Sequence, residues 1–392
     1  MISFDFSSHC SGCYACVDVC PKQCIRIIEN KRGFVIPEID KPTCVNCGLC
    51  ERVCPIITTP KLHNPLSVHC AYNKDDVERE IGSSGSIMLL LAKYILSKGG
   101  VVYGAAFDED LQLRHLRAEN YDQLIRQSKS KYIQSNLQGV FKKIKKDVDS
   151  QLLTMFVGTP CQTQAIRNYL NGKNDEYLLL VDFICHGVPS QSLFNQSIKE
   201  FERKNKCQVV DFSFREKSSN RLRNYKISYL KDGQLKIERG VESQFPYYCG
   251  FLKYITFRDS CYECKFARSE RTSDLTLGDM WGYENVTDFQ KGYSLIYINS
   301  SKGEDIFSKI KNSVETSKLS IGDPITYNFA YNHCQNKDFW QRVFAFMQLH
   351  CSYSVIERFL FREYKNVGIL HKIVFLIMGK INKYYIKKYK ND

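Results

Sequence analysis

Cys10-Ser11-Gly12-Cys13-Tyr14-Ala15-Cys16-Val17-Asp18-Val19-Cys20-Pro21 is answered, after a gap, by Cys44-Val45-Asn46-Cys47-Gly48-Leu49-Cys50-Glu51-Arg52-Val53-Cys54-Pro55. Each stretch spaces four thiols as C-x2-C-x2-C-x3-C and sets a proline after the last. Three thiolates so close in sequence wrap one tight loop around three corners of an iron–sulfur cage. The fourth lies too far along to close the same cage and closes the other one instead. One centre is therefore assigned to Cys10, Cys13, Cys16 and Cys54, the other to Cys44, Cys47, Cys50 and Cys20. The prolines turn the chain after each crossing ligand, and Gly12 and Gly48 let the backbone come close to the sulfur atoms.

The doubled spacing is that of a two-cluster bacterial ferredoxin. A zinc knuckle needs only four ligands and shows one CxxC pair per half-site. A disulfide framework suits a small secreted domain rather than the head of a long chain. Between the runs, Ile25-Arg26-Ile27-Ile28 and Phe34-Val35-Ile36 flank Asn30-Lys31-Arg32-Gly33, which predicts a hairpin with a glycine turn.

With 392 residues, 43% hydrophobic and 13% aromatic, the chain has material for two or three domains and is not globally disordered. Residues 1–20 have neither the basic start nor the apolar run of a signal peptide, and no stretch approaches the ~18 apolar residues of a membrane span. Eighteen cysteines, many at ligand spacing, place the protein in a reducing cytoplasm. The formal charge of +13 counts each Cys as neutral. Each four-thiolate centre adds about −2, so three of them leave roughly +7. The excess sits mainly in residues 353–392, where nine Lys/Arg face three Asp/Glu. In that tail Ile373, Ile377, Ile381 and Tyr385 share one helical face and Lys380, Lys383, Lys387 and Lys388 lie elsewhere. That is either a solvated charge run over a packed stripe or a basic amphipathic helix in peripheral contact with an anionic membrane. Nothing in the chain suggests a nucleic-acid partner.

After the head, Pro60 and Pro65 interrupt an aperiodic stretch, and residues 61–80 are assigned as a linker. Ser83-Ser84-Gly85-Ser86 precedes an apolar run from Ile87 to Leu96 that stops at Gly99-Gly100, which reads as a buried helix. Its start is either an ordinary N-cap or an anion-binding helix end. A strand follows over Val101–Phe107. Strand, loop and helix then repeat. Leu152–Val157 runs through Gly158-Thr159-Pro160-Cys161-Gln162 into a helix from Thr163, and Leu178–Ile184 runs through Cys185-His186-Gly187-Val188-Pro189-Ser190 into a helix from Gln191. This alternation predicts a mostly parallel, doubly covered sheet with ligands beyond the carboxyl ends of its strands. Residues 208–239 read as antiparallel strands around an Asp232-Gly233 turn, and Ser294–Ile298 as a further strand.

Cys161, Cys185, Cys261 and Cys264 are placed by this reading in loops of the second domain. They suit a third iron–sulfur cage, a tetrahedral zinc, or buried structural thiols. A third cage would continue the path from the two-cluster head, which needs an electron acceptor inside the protein. His186 is either a proton donor beside a reducible ring or a hydrogen-bonded loop histidine. The remaining thiols, Cys24, Cys70, Cys207, Cys249, Cys334 and Cys351, are isolated in sequence and read as core.

Ser83-Ser84-Gly85, Ser130-Lys131-Tyr132-Ile133-Gln134-Ser135, Gly158-Thr159-Pro160-Cys161-Gln162, Cys185-His186-Gly187-Val188-Pro189-Ser190, Cys261-x2-Cys264 and Ser273-Asp274-Leu275-Thr276-Leu277-Gly278-Asp279 occur in an order that resembles the coenzyme F420 hydrogenase/dehydrogenase beta-subunit family. The resemblance spans residues 1 to about 300. It departs at Ser86, where the family usually has glycine, and at Met280, where it usually has an aromatic residue. It implies an iron–sulfur flavoprotein oxidoreductase that passes electrons between its [4Fe–4S] clusters and an organic hydride acceptor through FAD. Cys161, Cys185, Cys261 and Cys264 would be the third-cluster ligands. Ser83, Ser84, Gly85, Lys131, Gln134 and Asp279 would line the flavin pocket, with Lys131 facing a phosphate or the electron-rich flavin edge. His186 and Lys131 are the catalytic candidates. Many bacterial members accompany surface-polysaccharide genes. The expected partners are a ferredoxin or a partner oxidoreductase subunit and a small-molecule hydride acceptor. The competing readings are an electron-transfer subunit of a larger complex and a non-enzymatic cluster scaffold or redox sensor. The expected fold is α+β or α/β: a ferredoxin-like module over 1–60, the linker, a mixed α/β flavin-binding core over 81–300, and a helical, basic region over 301–392.

Overall fold

The hairpin between the two cysteine runs forms as β1 (Ile25–Glu29) and β2 (Val35–Ile39), antiparallel with Ile25 opposite Ile39. Gly33 supplies the positive φ of 75° that its turn requires. A computed structural model describes residues 6–218, 221–281, 291–321, 328–331, 334–335 and 337–361. The basic tail face around Ile373 to Lys388 lies outside the described residues.

The head does not stand apart from the rest. Cys13, Tyr14, Ala15 and Val53 are buried in one apolar cluster with Tyr103, Phe141, Ile144, Phe156, Ala165 and Ile166. Polar ties reinforce that wall. The Asp18 carboxylate accepts from the backbone N–H groups of Gly139 (2.8 Å) and Phe141 (3.1 Å), so a head residue caps the start of helix Val140–Asp149. The Gln164 amide donates to Pro55 O at 2.9 Å.

The second tie is at Gly12, whose φ is +65°. A Cβ there would meet Gln134 Nε2 at 2.2 Å and Arg258 Nη2 at 2.7 Å. Gly12→Ala is expected to destabilise the holo-protein by at least ~3 kcal/mol. The left-handed backbone costs about 1–3 kcal/mol for a residue with a side chain, and each displaced buried donor costs about 1–3 kcal/mol more. Denaturant melts followed by visible cluster absorption check this.

Eight strands form the central sheet in the order β13 (Val314–Leu319), β3 (Ser67–Asn73), β12 (Ser294–Ile298), β11 (Leu275–Asp279), β7 (Leu178–Phe183), β6 (Thr154–Gly158), β4 (Val101–Phe107) and β5 (Leu113–Ala118). Only β11, β7, β6 and β4 run parallel to one another, and the outer pairings are antiparallel. The sheet is therefore mixed rather than mostly parallel. Residues 61–80 are not a linker, because β3 lies between β12 and β13 and leads into helix Asp76–Ile81. Region 301–392 is likewise not purely helical, since β13 is an edge strand.

One face of the sheet packs against helices Ile87–Ser97 and Ser301–Ile310. The other packs against helices Val140–Asp149 and Pro160–Leu170 and the head. Gly85 admits the start of the first helix to the sheet, because a Cβ there would lie 2.3 Å from Ala71 O and 2.9 Å from Ser294 N.

Strands β8 (Gln208–Ser218), β9 (Arg221–Lys231) and β10 (Gln234–Val241) form a separate antiparallel sheet. Its turn has φ of 53° at Asp232 and 74° at Gly233, the twist-matching hairpin geometry. Phe212, Phe214 and Ile227 from this sheet bury against Phe194, Tyr247, Tyr248, Phe344, Ile356 and Leu360. Helices Phe339–His350 and Tyr353–Phe361 thereby close that core. No helix among the described residues is long and apolar enough to cross a membrane.

Candidate functional site

Each crossing set of head thiols faces its own cavity. Cys10, Cys13, Cys16 and Cys54 line one with Ile27, Val35 and Pro37. Cys20, Cys44, Cys47 and Cys50 line the other with Ile25 and Ile39. Burial, then the neighbouring Cys54 and Cys16, push the Cys13 thiol well above its ordinary range. Such thiols are neutral when bare and become ligands only as a metal displaces their protons. Cys47 is exposed, so the second set is the outer one. Cys24 is not an isolated core thiol: its Sγ lies 3.4 Å from Cys20 Sγ and it lines the outer cavity.

A third, much larger cavity of about 560 Å3 opens where the parallel strands end. Cys161 lies just beyond β6, in the first turn of helix Pro160–Leu170 rather than in a loop. Cys185 follows β7, and Cys261 and Cys264 come from the segment after Arg258. All four line this one space. Burial pushes Cys185 far up, and Cys261, Cys161 and Cys264 each push it further. Burial and then Cys264 raise Cys261 to about 12, and Cys161 stands at about 11, raised first by burial. Among the described residues no three His, Cys, Asp or Glu side chains converge as they would on a single metal ion; the thiols line open space instead. Cys334 shares the same wall, its Sγ 3.4 Å from Tyr262 O, and acts electrostatically on Cys264. Its position 70 residues beyond Cys264 gave no sign of this.

The polar part of the cavity centres on an ion pair the sequence did not reveal. Arg215 is 4% exposed and sits at φ +57° where the β8–β9 register slips between Phe214 and Glu216. Such a bulge re-aims a side chain. Its guanidinium grips Asp279 through Nη1 to Oδ2 (2.6 Å) and Nη2 to Oδ1 (3.1 Å). The Ser84 hydroxyl also donates to Asp279. Burial alone would raise Asp279, but Arg215 and Ser84 outweigh it and hold the carboxyl below its ordinary value. Ser83 Oγ meets Ser130 Oγ at 3.0 Å and accepts from Ser130 N at 2.8 Å. Asp182 lines the cavity too, where burial pushes its carboxyl up to about 6 against the pull of Arg271.

The other sequence candidates divide. His186 lines the cavity, its ring centroid 6.4 Å from Trp281 and 6.0 Å from Tyr254. Lys131 lines it as well, but its ammonium caps a helix end. Nζ donates to the carbonyls of Arg126 (3.0 Å), Ser128 and Lys129 (3.3 Å). Burial, then Lys129, push Lys131 down to about 7, so it does not present a free cation to a phosphate. Gln134 spends both ends of its amide on the joint, donating to Ser11 O (2.9 Å) and Gly12 O (3.0 Å) and accepting from Arg258. Gly85 does not line the cavity; it serves the close packing of helix on sheet. Ser86 has φ of 62°, a conformation that favours glycine, which fits the glycine usual in the resembling family.

Residues 9–56 match the family model of the 4Fe-4S dicluster domain. Residues 153–321 match the model for the C terminus of the beta subunit of coenzyme F420 hydrogenase/dehydrogenase. That second match covers the core from just before β6 through β13. Over 316 residues the chain is 19% identical to the F subunit of F(420)H(2) dehydrogenase from Methanosarcina mazei, covering 78% of this chain and 83% of the relative. The head alone is 43% identical over 42 residues to a 7Fe ferredoxin of Hydrogenibacillus schlegelii, 11% of this chain and 47% of the ferredoxin. A solved chain of the F420-reducing [NiFe] hydrogenase complex from Methanosarcina barkeri aligns at 16% identity with a TM-score of 0.46, covering 76% of this chain and 94% of that one. The chain thus joins a region similar to the 4Fe-4S dicluster domain to a region similar to the C terminus of that beta subunit.

Proposed function

We propose that this chain is an iron–sulfur flavoprotein oxidoreductase that moves electrons between its head clusters and an organic hydride acceptor. A third [4Fe–4S] cluster would be held by Cys161, Cys185, Cys261 and Cys264, and FAD would occupy the large cavity. One observation carries the reading: a single space is lined by four thiols, by the Ser84–Asp279–Arg215 set, and by head residues Ser11 and Ile56. Its volume of about 560 Å3 falls in the range of ligand pockets, ~300–1,000 Å3. FAD, when bound, interconverts single electrons and hydride pairs. The residues of the chain supply the rest. Arg215 and Asp279 present fixed opposite charges, and the Ser83 and Ser130 hydroxyls offer hydrogen bonds. His186, an imidazole that can both accept and donate a proton, is the proton-carrying side chain we assign on that wall.

The outer head set, with exposed Cys47 and Val45, is the face at which a ferredoxin or a partner subunit would deliver electrons. A second reading, an electron-transfer subunit without substrate chemistry of its own, is favoured by the name of the Methanosarcina mazei relative, which describes one subunit of a dehydrogenase. Turnover of the purified single chain with reduced ferredoxin or a dye separates the two. Anaerobic isolation is expected to yield about 12 Fe per chain, four for each of three cubanes, with one FAD. About 8 Fe and no flavin would remove the core centre and the flavin together.

A further inference from the structure

Arg258 is 1% exposed and lies where the head meets the core. Nε donates to Gln134 Oε1 at 3.0 Å and Nη2 to the same oxygen at 2.6 Å. Nη1 donates to Cys10 O at 3.1 Å, Nη2 to Val35 O at 2.8 Å, and the guanidinium stands 5.0 Å from the centre of the Phe34 ring. All of these acceptors are neutral. The adjacent carboxylate, Asp259, is already paired with Arg32 at 2.8 Å and Lys337 at 2.7 Å. A buried cation without a counter-charge costs several kcal/mol, so this position is sound only if negative charge stands close by. Arg258 is fastened to both centres that meet here: its guanidinium holds the Cys10 carbonyl in the head, and its own backbone carbonyl accepts from Cys261 N–H at 3.0 Å while its N–H donates to Val188 O at 3.0 Å in the core.

We propose that Arg258 is the shared counter-ion of two redox centres. One is the inner head centre of Cys10, Cys13, Cys16 and Cys54, and the other is the core centre of Cys161, Cys185, Cys261 and Cys264. The inference rests on the reading that both thiol sets hold [4Fe–4S] clusters. Each such cluster is anionic and gains one more negative charge when it takes one electron from an external donor. A fixed cation between the two favours the reduced form of both and raises their potentials relative to the outer centre, which Arg258 does not touch. Arg258 is thus a positioning residue that makes transfer inward from the outer centre downhill.

The test is mediated redox titration of the anaerobic holo-protein, followed by EPR, for wild type, Arg258→Lys, Arg258→Gln and Gln134→Glu. Arg258→Gln removes the charge. Gln134→Glu leaves Arg258 in place and cancels its charge with a carboxylate, at the loss of the amide's donations to Ser11 O and Gly12 O, so a second, differently perturbed variant carries the test if Arg258→Gln fails to fold. Both are expected to lower the reduced-to-oxidised ratio of the inner head and core centres about tenfold at fixed potential, ~59 mV for a one-electron couple. The outer centre should stay put, and Arg258→Lys should remain near wild type. Equal shifts at all three centres, no shift in either neutralised variant, or the same loss with Lys as with Gln would overturn the proposal. A wild-type protein that holds no iron would instead sink the cluster reading on which it rests.

Discussion

Cys261→Ser is expected to cost the protein about four of the ~12 iron atoms proposed for it while the head keeps its eight. The reason is geometric. The head thiols line two cavities of their own, and none of them lines the large cavity in which Cys261 stands with Cys161, Cys185 and Cys264. Serine keeps the volume and removes the soft thiolate that such a cage requires. The head should therefore show unchanged EPR signals from its two clusters, and the core signal should vanish. The Arg215–Asp279 end of the cavity is untouched, so flavin should remain near one per chain. Iron and sulfide analysis beside flavin release reads all three. Loss of all iron would mean that the three centres do not assemble separately.

Asp279→Asn is expected to destabilise the protein by about 3 kcal/mol. Removing one partner of a buried pair leaves the other charge stranded, which costs ~3–5 kcal/mol. The low end applies because the Asp279 side chain is 27% exposed toward the cavity, against 5% for Arg215. The pH dependence has a definite sign. The folded carboxyl titrates below its unfolded value, so its stabilisation is present above that value, near pH ~4, and is lost as pH falls through the folded one. The variant should therefore lose most at neutral pH and converge with wild type in strong acid. Flavin retention should fall with stability, because asparagine keeps one acceptor oxygen where the carboxylate offers two to Arg215 and Ser84. Urea melts at pH 7 and below pH 4, with released flavin as a second signal, check both.

The head was legible because ligand spacing is a local property: three thiols within seven residues need no tertiary information. The crossing of Cys20 and Cys54 followed from chain reach alone, and the two cavities have that membership. The strand–helix repeats were legible because buried strands write continuous apolar runs, as in Val101–Phe107 and Leu178–Phe183. β3 was not legible, since Pro60 and Pro65 precede it and Ser67-Val68-His69-Cys70-Ala71-Tyr72-Asn73 has no alternation that separates a strand from a loop. Its partners, β12 and β13, come more than 200 residues later. Arg215 and Arg258 were invisible for a related reason. A lone arginine in sequence looks like solvated surface, and only the bulge in β8 and the seam beneath Phe34 bury these two. Lys131 and Gln134 lie in the expected block, but their polar atoms serve a helix end and a joint.

The buried seam beneath Cys13, Tyr14, Ala15 and Val53 carries a consequence for tunnelling. A ferredoxin-like carrier on a tether would have to find its acceptor by diffusion on each turnover, and its rate would depend on linker length. Here the carrier is bolted to the sheet by side chains that cannot part without baring their apolar wall to water. With an acceptor in the core, as proposed, its spacing from the head would be set by this packing and not by the length of a linker.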